Sequence, residues 1–148
     1  MDHQDLLLKN YLDGLYISIV RTQLLHCTLS WNSNYAVPSF SSIGFILDGE
    51  GFIQVNGERV FPKRNQLYLF PAGTVQAYGV LNDHPYTKYY CHFNATYGNI
   101  SIFDMLKLPL CITPADPHKA ETIFRKLIMD TNQHDALSSL KVKRSIMD

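Results

Sequence analysis

Apolar residues recur with a period of two through most of the chain and with a helical period near its end. In residues 23–31, Leu25, Cys27, Leu29 and Trp31 alternate with His26, Thr28 and Ser30, which predicts a strand with one apolar and one polar face. Residues 15–20 and 86–93 show the same enrichment in β-branched and aromatic side chains and read as further strands. Between them lie short apolar runs at 43–47, 52–55, 58–61 and 67–70, broken by Gly49-Glu50-Gly51, Asn56-Gly57 and Pro71-Ala72-Gly73. Asn-Gly between two such runs predicts a hairpin with a type I′ turn, whose central residues both take positive φ. Pro71 and Gly73 predict another tight turn, Pro by its fixed φ and Gly by its freedom. Many short strands punctuated in this way imply a sandwich or a barrel.

The period changes after Asp116. Asp116 is a suitable helix cap and Pro117 suits the first helical position. Ala120, Ile123, Phe124, Leu127 and Ile128 then follow as one stripe at helical spacing. A polar segment at 131–135 interrupts it, and Leu137, Leu140 and Met147 suggest a second helix at near-heptad spacing. The first stripe is committed to docking on the barrel, so these three residues are the expected contact of a homodimer. The expected layout is one mainly β domain with C-terminal helices over 1–148. Residues 1–14 form an arm or short helix, 15–112 a barrel, and 116–148 two antiparallel helices. The second helical pattern reaches Asp148 with no cap, Gly or Pro, and is expected to belong to a chain that continues.

Composition narrows the function. Of 148 residues, 46% are hydrophobic and 18% charged, which suits a folded domain rather than disorder. Thirteen basic and thirteen acidic residues cancel, so this segment lacks the basic surplus with which DNA-binding domains displace counterions. Lys141, Lys143 and Arg144 read as a solvated helix face. Cys27, Cys91 and Cys111 are odd in number and widely spaced, fitting free thiols better than disulfides or a zinc site. The acidic start is no signal peptide and no apolar run is long enough for a membrane span, so a cytoplasmic protein is expected.

The order of these turns and strands resembles the cupin β-barrel (a double-stranded β-helix), whose second motif is a Pro-x-Gly turn followed by a metal-binding His. Gln76 stands in that place, and no His lies between Cys27 and Asp83 to supply the earlier His-x-His. The expected barrel is metal-free and carries no cofactor. A metal-free barrel followed by two helices resembles the N-terminal effector-binding and dimerisation domain of AraC-type transcription regulators. The resemblance rests on Ile46-Leu47-Asp48-Gly49-Glu50-Gly51, Leu69-Phe70-Pro71-Ala72-Gly73, Tyr78-Gly79 and Tyr89-Tyr90-Cys91-His92-Phe93, and covers residues 40–148. Where the family has Gly-Asp, this chain has Asn65-Gln66, and Asn also tolerates the left-handed conformation.

The resemblance implies a small polar effector, with a carbohydrate among the candidates, and a homodimer. It also implies DNA contact only through a C-terminal helix-turn-helix domain that this chain is expected to lack. In a sugar-binding member the ligand lies under an N-terminal arm, against a Tyr after the Pro-x-Gly turn and against groups of a later strand. These positions carry over to Tyr78, Lys88 and Tyr90; alternation adds Gln76 and His92, and Trp31 is a candidate wall. The sugar-gripping Arg of that member has no evident match, as no Arg or Lys lies between Arg21 and Arg59. The residues alone leave other readings open. Tyr78 and Tyr90 can be core, and the later strand can turn Tyr89, Cys91 and Phe93 to the barrel with Lys88 in solvent. His92 with either Tyr can also form the acid–base pair of a small metal-independent cupin isomerase or epimerase, which leads to no catalytic assignment over the sensing role. The third class is a dimerisation scaffold with a filled barrel.

Overall fold

At Asn56-Gly57 the expected hairpin forms. Strands β4 (Gly51–Val55) and β5 (Glu58–Val60) pair antiparallel across it, with φ of 48° at Asn56 and 88° at Gly57. Asn65, at φ 68°, takes the left-handed conformation that its side chain tolerates. The computed structural model describes residues 14–98, 100–105 and 107–132. The expected arm at 1–14, apart from Gly14, and the second helix with Leu137, Leu140 and Met147 lie outside the described residues.

Among the described residues, ten strands form two antiparallel sheets. One runs in the order β1 (Leu15–His26), β8 (Thr87–Tyr97), β3 (Ser41–Asp48), β6 (Leu67–Phe70), β10 (Cys111–Ile112), with β9 (Ile100–Ser101) also paired to β8. The other runs β2 (Ser33–Ala36), β7 (Gln76–Val80), β4, β5. Ile46, Tyr68 and Phe70 from the first sheet meet Ile53 and Val55 from the second in a buried cluster completed by Tyr86. The Tyr86 hydroxyl donates to the Pro62 carbonyl at 2.6 Å, which satisfies its one polar atom inside that core. The result is a mainly β barrel of the cupin-like kind, with a helical layer against one sheet.

The helices are α1 (Ile102–Met105) and α2 (Pro117–Asn132). Asp116 caps α2 as expected, its carboxylate accepting from the Lys119 backbone N–H at 3.1 Å. Phe124 and Leu127 on the apolar stripe are buried, and Phe124 stacks with Tyr89 and Phe45 on the outer face of the first sheet. Cys91, Phe93 and Ala95 complete that second core. Strand β8 is therefore covered on both faces. Tyr89, Cys91, Phe93 and Ala95 turn to the helical layer, while Lys88, Tyr90 and His92 turn into the barrel. The parity that the sequence leaves open is decided by α2, which has an apolar stripe to bury.

Two sequence expectations for the first strands are corrected. Residues 15–20 and 23–26 are one strand, not two, with a register break between Ile19 and Arg21. Strand β1 ends at His26, so residues 27–31 do not continue its alternation: Leu29 is 63% exposed and Trp31 sits in the connection to β2. A turn closed by the Trp31 N–H on the Thr28 carbonyl at 3.0 Å replaces the strand there. Among the described residues, no helix is long and apolar enough to cross a membrane.

Gly44 on β3 lies opposite Tyr68 on one side and Tyr90 on the other. A Cβ at Gly44 would stand 2.1 Å from the Tyr68 ring, so the missing side chain is the space that the ring fills. Because Tyr68 is itself fully buried, the ring has little room to yield. Gly44→Ala is expected to destabilise the domain by about 1–3 kcal/mol through overpacking, read as a lower urea midpoint. An unchanged midpoint would show that Tyr68 is not held there.

Candidate functional site

A cavity of about 450 Å³ opens between the two sheets, and its walls can be traced strand by strand. From β8 come Lys88, Tyr90 and His92; from β7 come Gln76 and Tyr78; from the loop before β2 comes Trp31. All six residues expected at the ligand site thus line one cavity. Their roles differ from a uniform polar lining.

Lys88 is a deeply buried charge, only 5% exposed. Its ammonium donates to the Tyr68 hydroxyl at 2.5 Å and stands 4.4 Å above the Trp31 ring and 4.9 Å from the Tyr68 ring centre. Cation–π attraction offsets part of the lost hydration. It does not offset all of it, and burial pulls the Lys88 pKa down to about 8. The nearby Cys27 thiol supplies no counter-charge, since burial pushes its own pKa up.

Trp31 and Tyr78 form a flat wall, their rings stacked with centroids 4.2 Å apart. Burial raises the Tyr78 pKa, so its hydroxyl stays neutral. His92 lies between the rings of Phe40 at 4.6 Å and Tyr90 at 4.7 Å. Burial first, then the Lys88 and Arg21 charges, hold its pKa down at about 4, so it is a neutral imidazole near pH 7. Below pH 6.5 the unfolded chain binds a proton that folded His92 refuses. Its contribution therefore lowers stability as pH falls from about 6.5 to about 4.

Gln76, in the cupin metal-ligand place, serves its own turn: Nε2 donates to the Pro71 carbonyl at 2.9 Å and to Thr74 Oγ1 at 3.2 Å. Among the described residues, no three His, Cys, Asp or Glu side chains come together as a metal site. His26 lies on the polar side of β1, its ring paired with Thr87 Oγ1 at 3.2 Å, and His84 pairs with Asp48 at 3.1 Å in a turn.

Sequence reasoning misses Arg21. Ile17 and Ile19 face the helical layer, and simple alternation would send residue 21 the same way. The bulge at Val20 breaks the count. Arg21 pairs with His92 and Gln23 with Tyr90, so both enter the cavity. Sequence reasoning also misses Tyr68, although it alternates with Phe70 along β6 and both line the site.

The chain is similar to several solved structures. The cupin domain of Schizosaccharomyces pombe Cnp3 is 14% identical, with a TM-score of 0.44, over 53% of this chain and 64% of that one. The Escherichia coli protein YhaK is 20% identical, with a TM-score of 0.46, over 66% of this chain and 42% of that one. A cupin 2 conserved barrel protein from Salinispora arenicola is 11% identical, with a TM-score of 0.43, over 53% and 74%. No curated protein matches the chain. The family described as the AraC-like ligand binding domain matches residues 27–144, a span that holds the cavity strands β2 to β8 and the docked helix α2. By that match the chain belongs to the AraC-like ligand binding domain family.

Proposed function

We propose that this domain is the effector-sensing module of an AraC-type transcription regulator. It binds a small polar molecule in a metal-free barrel and has no catalytic role. The observation that carries the reading is the cavity itself: a buried ammonium, two stacked rings and several neutral hydrogen-bonding groups converge on space that no side chain among the described residues fills. A cavity of this volume suits a small metabolite. A scaffold with a filled barrel would not keep a charge there at a cost in stability.

The isomerase or epimerase reading has less support. No hydrogen bond joins His92 to Tyr78 or Tyr90; His92 and Tyr90 meet as tilted rings instead. An imidazole held at about 4 is also a weak base for proton abstraction near neutrality. The regulator reading further places the protein in the cytoplasm as a homodimer, with DNA contacted by a separate C-terminal helix-turn-helix domain.

Trp31 is the one tryptophan, so its fluorescence reports on the site. A metabolite screen read by Trp31 emission should find a saturable ligand whose binding is unchanged by EDTA. Tyr78→Ala should weaken that ligand about tenfold by removing half of the stacked wall while the fold is kept. Loss of binding in EDTA would point to a metal, and Tyr78→Ala with full affinity would place the ligand elsewhere.

For dimerisation, Leu137→Asp combined with Leu140→Asp is expected to give folded monomers by light scattering at micromolar concentration, with Met147 as the third contact. Dimers that survive the double change would move the interface to a barrel face.

A further inference from the structure

The charges that line the cavity are of one sign. Lys88 and Arg21 are cations, and no Asp or Glu stands among the described residues that line it. The whole chain is neutral by count, so this is a local arrangement and not a reflection of net charge. An ammonium has three N–H donors, and Lys88 gives one of them to Tyr68. Buried charges in folded proteins are ordinarily paired, because an unpaired one loses its hydration without an ionic partner. Lys88 faces rings and the cavity instead. The depressed pKa of about 8 still leaves it mainly protonated near neutrality.

We infer that the effector is a small organic acid. Its carboxylate pairs with Lys88 at the buried end of the cavity, and its ring or hydrocarbon body lies against the Trp31–Tyr78 wall. Arg21 is exposed at the other end, where it draws an anion in without being buried itself. One buried ammonium balances one negative charge, which favours a carboxylate over a phosphate dianion. Neutral His92 and Ser42 remain as hydrogen-bond partners for groups on the body, and Gln76, its Nε2 committed to Pro71 and Thr74, can only accept, from a hydroxyl. This inference rests on the sensing role proposed above and names the chemistry of its ligand.

Cyclohexanecarboxylate and cyclohexanecarboxamide test it on the full chain, because neither absorbs where Trp31 is excited. The two share shape and differ in charge. The carboxylate should change Trp31 emission saturably and bind about tenfold more tightly than the amide, the value of one charge-assisted hydrogen bond. Lys88→Met, checked for fold by circular dichroism, should bind both alike. Arg21→Gln should weaken the acid a few-fold and leave the amide unchanged, which keeps the test open should Lys88→Met fail to fold. Equal binding of acid and amide, or no response to the acid, overturns the inference while a hit in the metabolite screen would still uphold sensing. Tighter binding of cyclohexyl phosphate than of the carboxylate would overturn the assignment to a carboxylic acid.

Discussion

Strand β8 is buried on both faces, and the rest of the domain is arranged around that constraint. Its odd-numbered residues from Tyr89 to Ala95 form the core beneath α2, and Lys88, Tyr90 and His92 form one wall of the cavity. A strand that serves two compartments has no tolerance for slippage, since a shift of one residue would exchange every side chain between them. Both neighbours hold the register. Strand β1 pairs with β8 over its whole length, and β3 pairs from the other side. The Thr22 hydroxyl adds a bond of 2.8 Å to the Tyr90 carbonyl, and Arg125 of α2 donates to the Tyr89 hydroxyl at 3.2 Å. The cavity wall is thereby held by the same pairing as the core behind it.

That register also places a charge where a purely structural protein would put an apolar group. Lys88 is held among Trp31, Tyr68 and Tyr90, and Gly44, opposite Tyr68, makes room for that ring, whose hydroxyl accepts the Lys88 hydrogen bond. The difference between a pKa of 10.5 and one of about 8 corresponds to a cost on the order of 3 kcal/mol in the ligand-free state. Domains of this size have total stabilities of roughly 5–15 kcal/mol, so such a cost is considerable. On the proposed reading that cost is returned when an anion enters, and binding then adds to stability.

Much of the fold was legible because its signals are local. Asn56-Gly57 and Asn65 require positive φ, and Asp116-Pro117 opens a helix by capping chemistry; each can be read within a few residues. The site was legible where strict alternation held, as for Lys88, Tyr90 and His92, once α2 decided which face was inward. It was not legible where alternation broke. The bulge at Val20 swings Arg21 into the cavity, and the chain leaves β1 at His26, so Trp31 reaches Tyr78 from a loop and not from a strand face. Bulges and strand ends are settled by pairing partners far along the chain, and a single strand carries little record of them. The assignment of Leu137, Leu140 and Met147 to a dimer seam rests on spacing alone, outside the described residues.

The central claim is that Lys88 is kept for a ligand and against stability, and thermal unfolding of Lys88→Met across pH tests it most directly. In the ligand-free protein the cost of the buried ammonium is present in full below about pH 8 and fades towards pH 10.5, as the folded state comes to hold Lys88 neutral. The account predicts that Lys88→Met melts several degrees higher than the unaltered chain near pH 7, and that the gain shrinks as pH rises from 8 to 10.5. A variant that melts lower at pH 7, with a deficit indifferent to pH, would make Lys88 a structural residue and contradict the account.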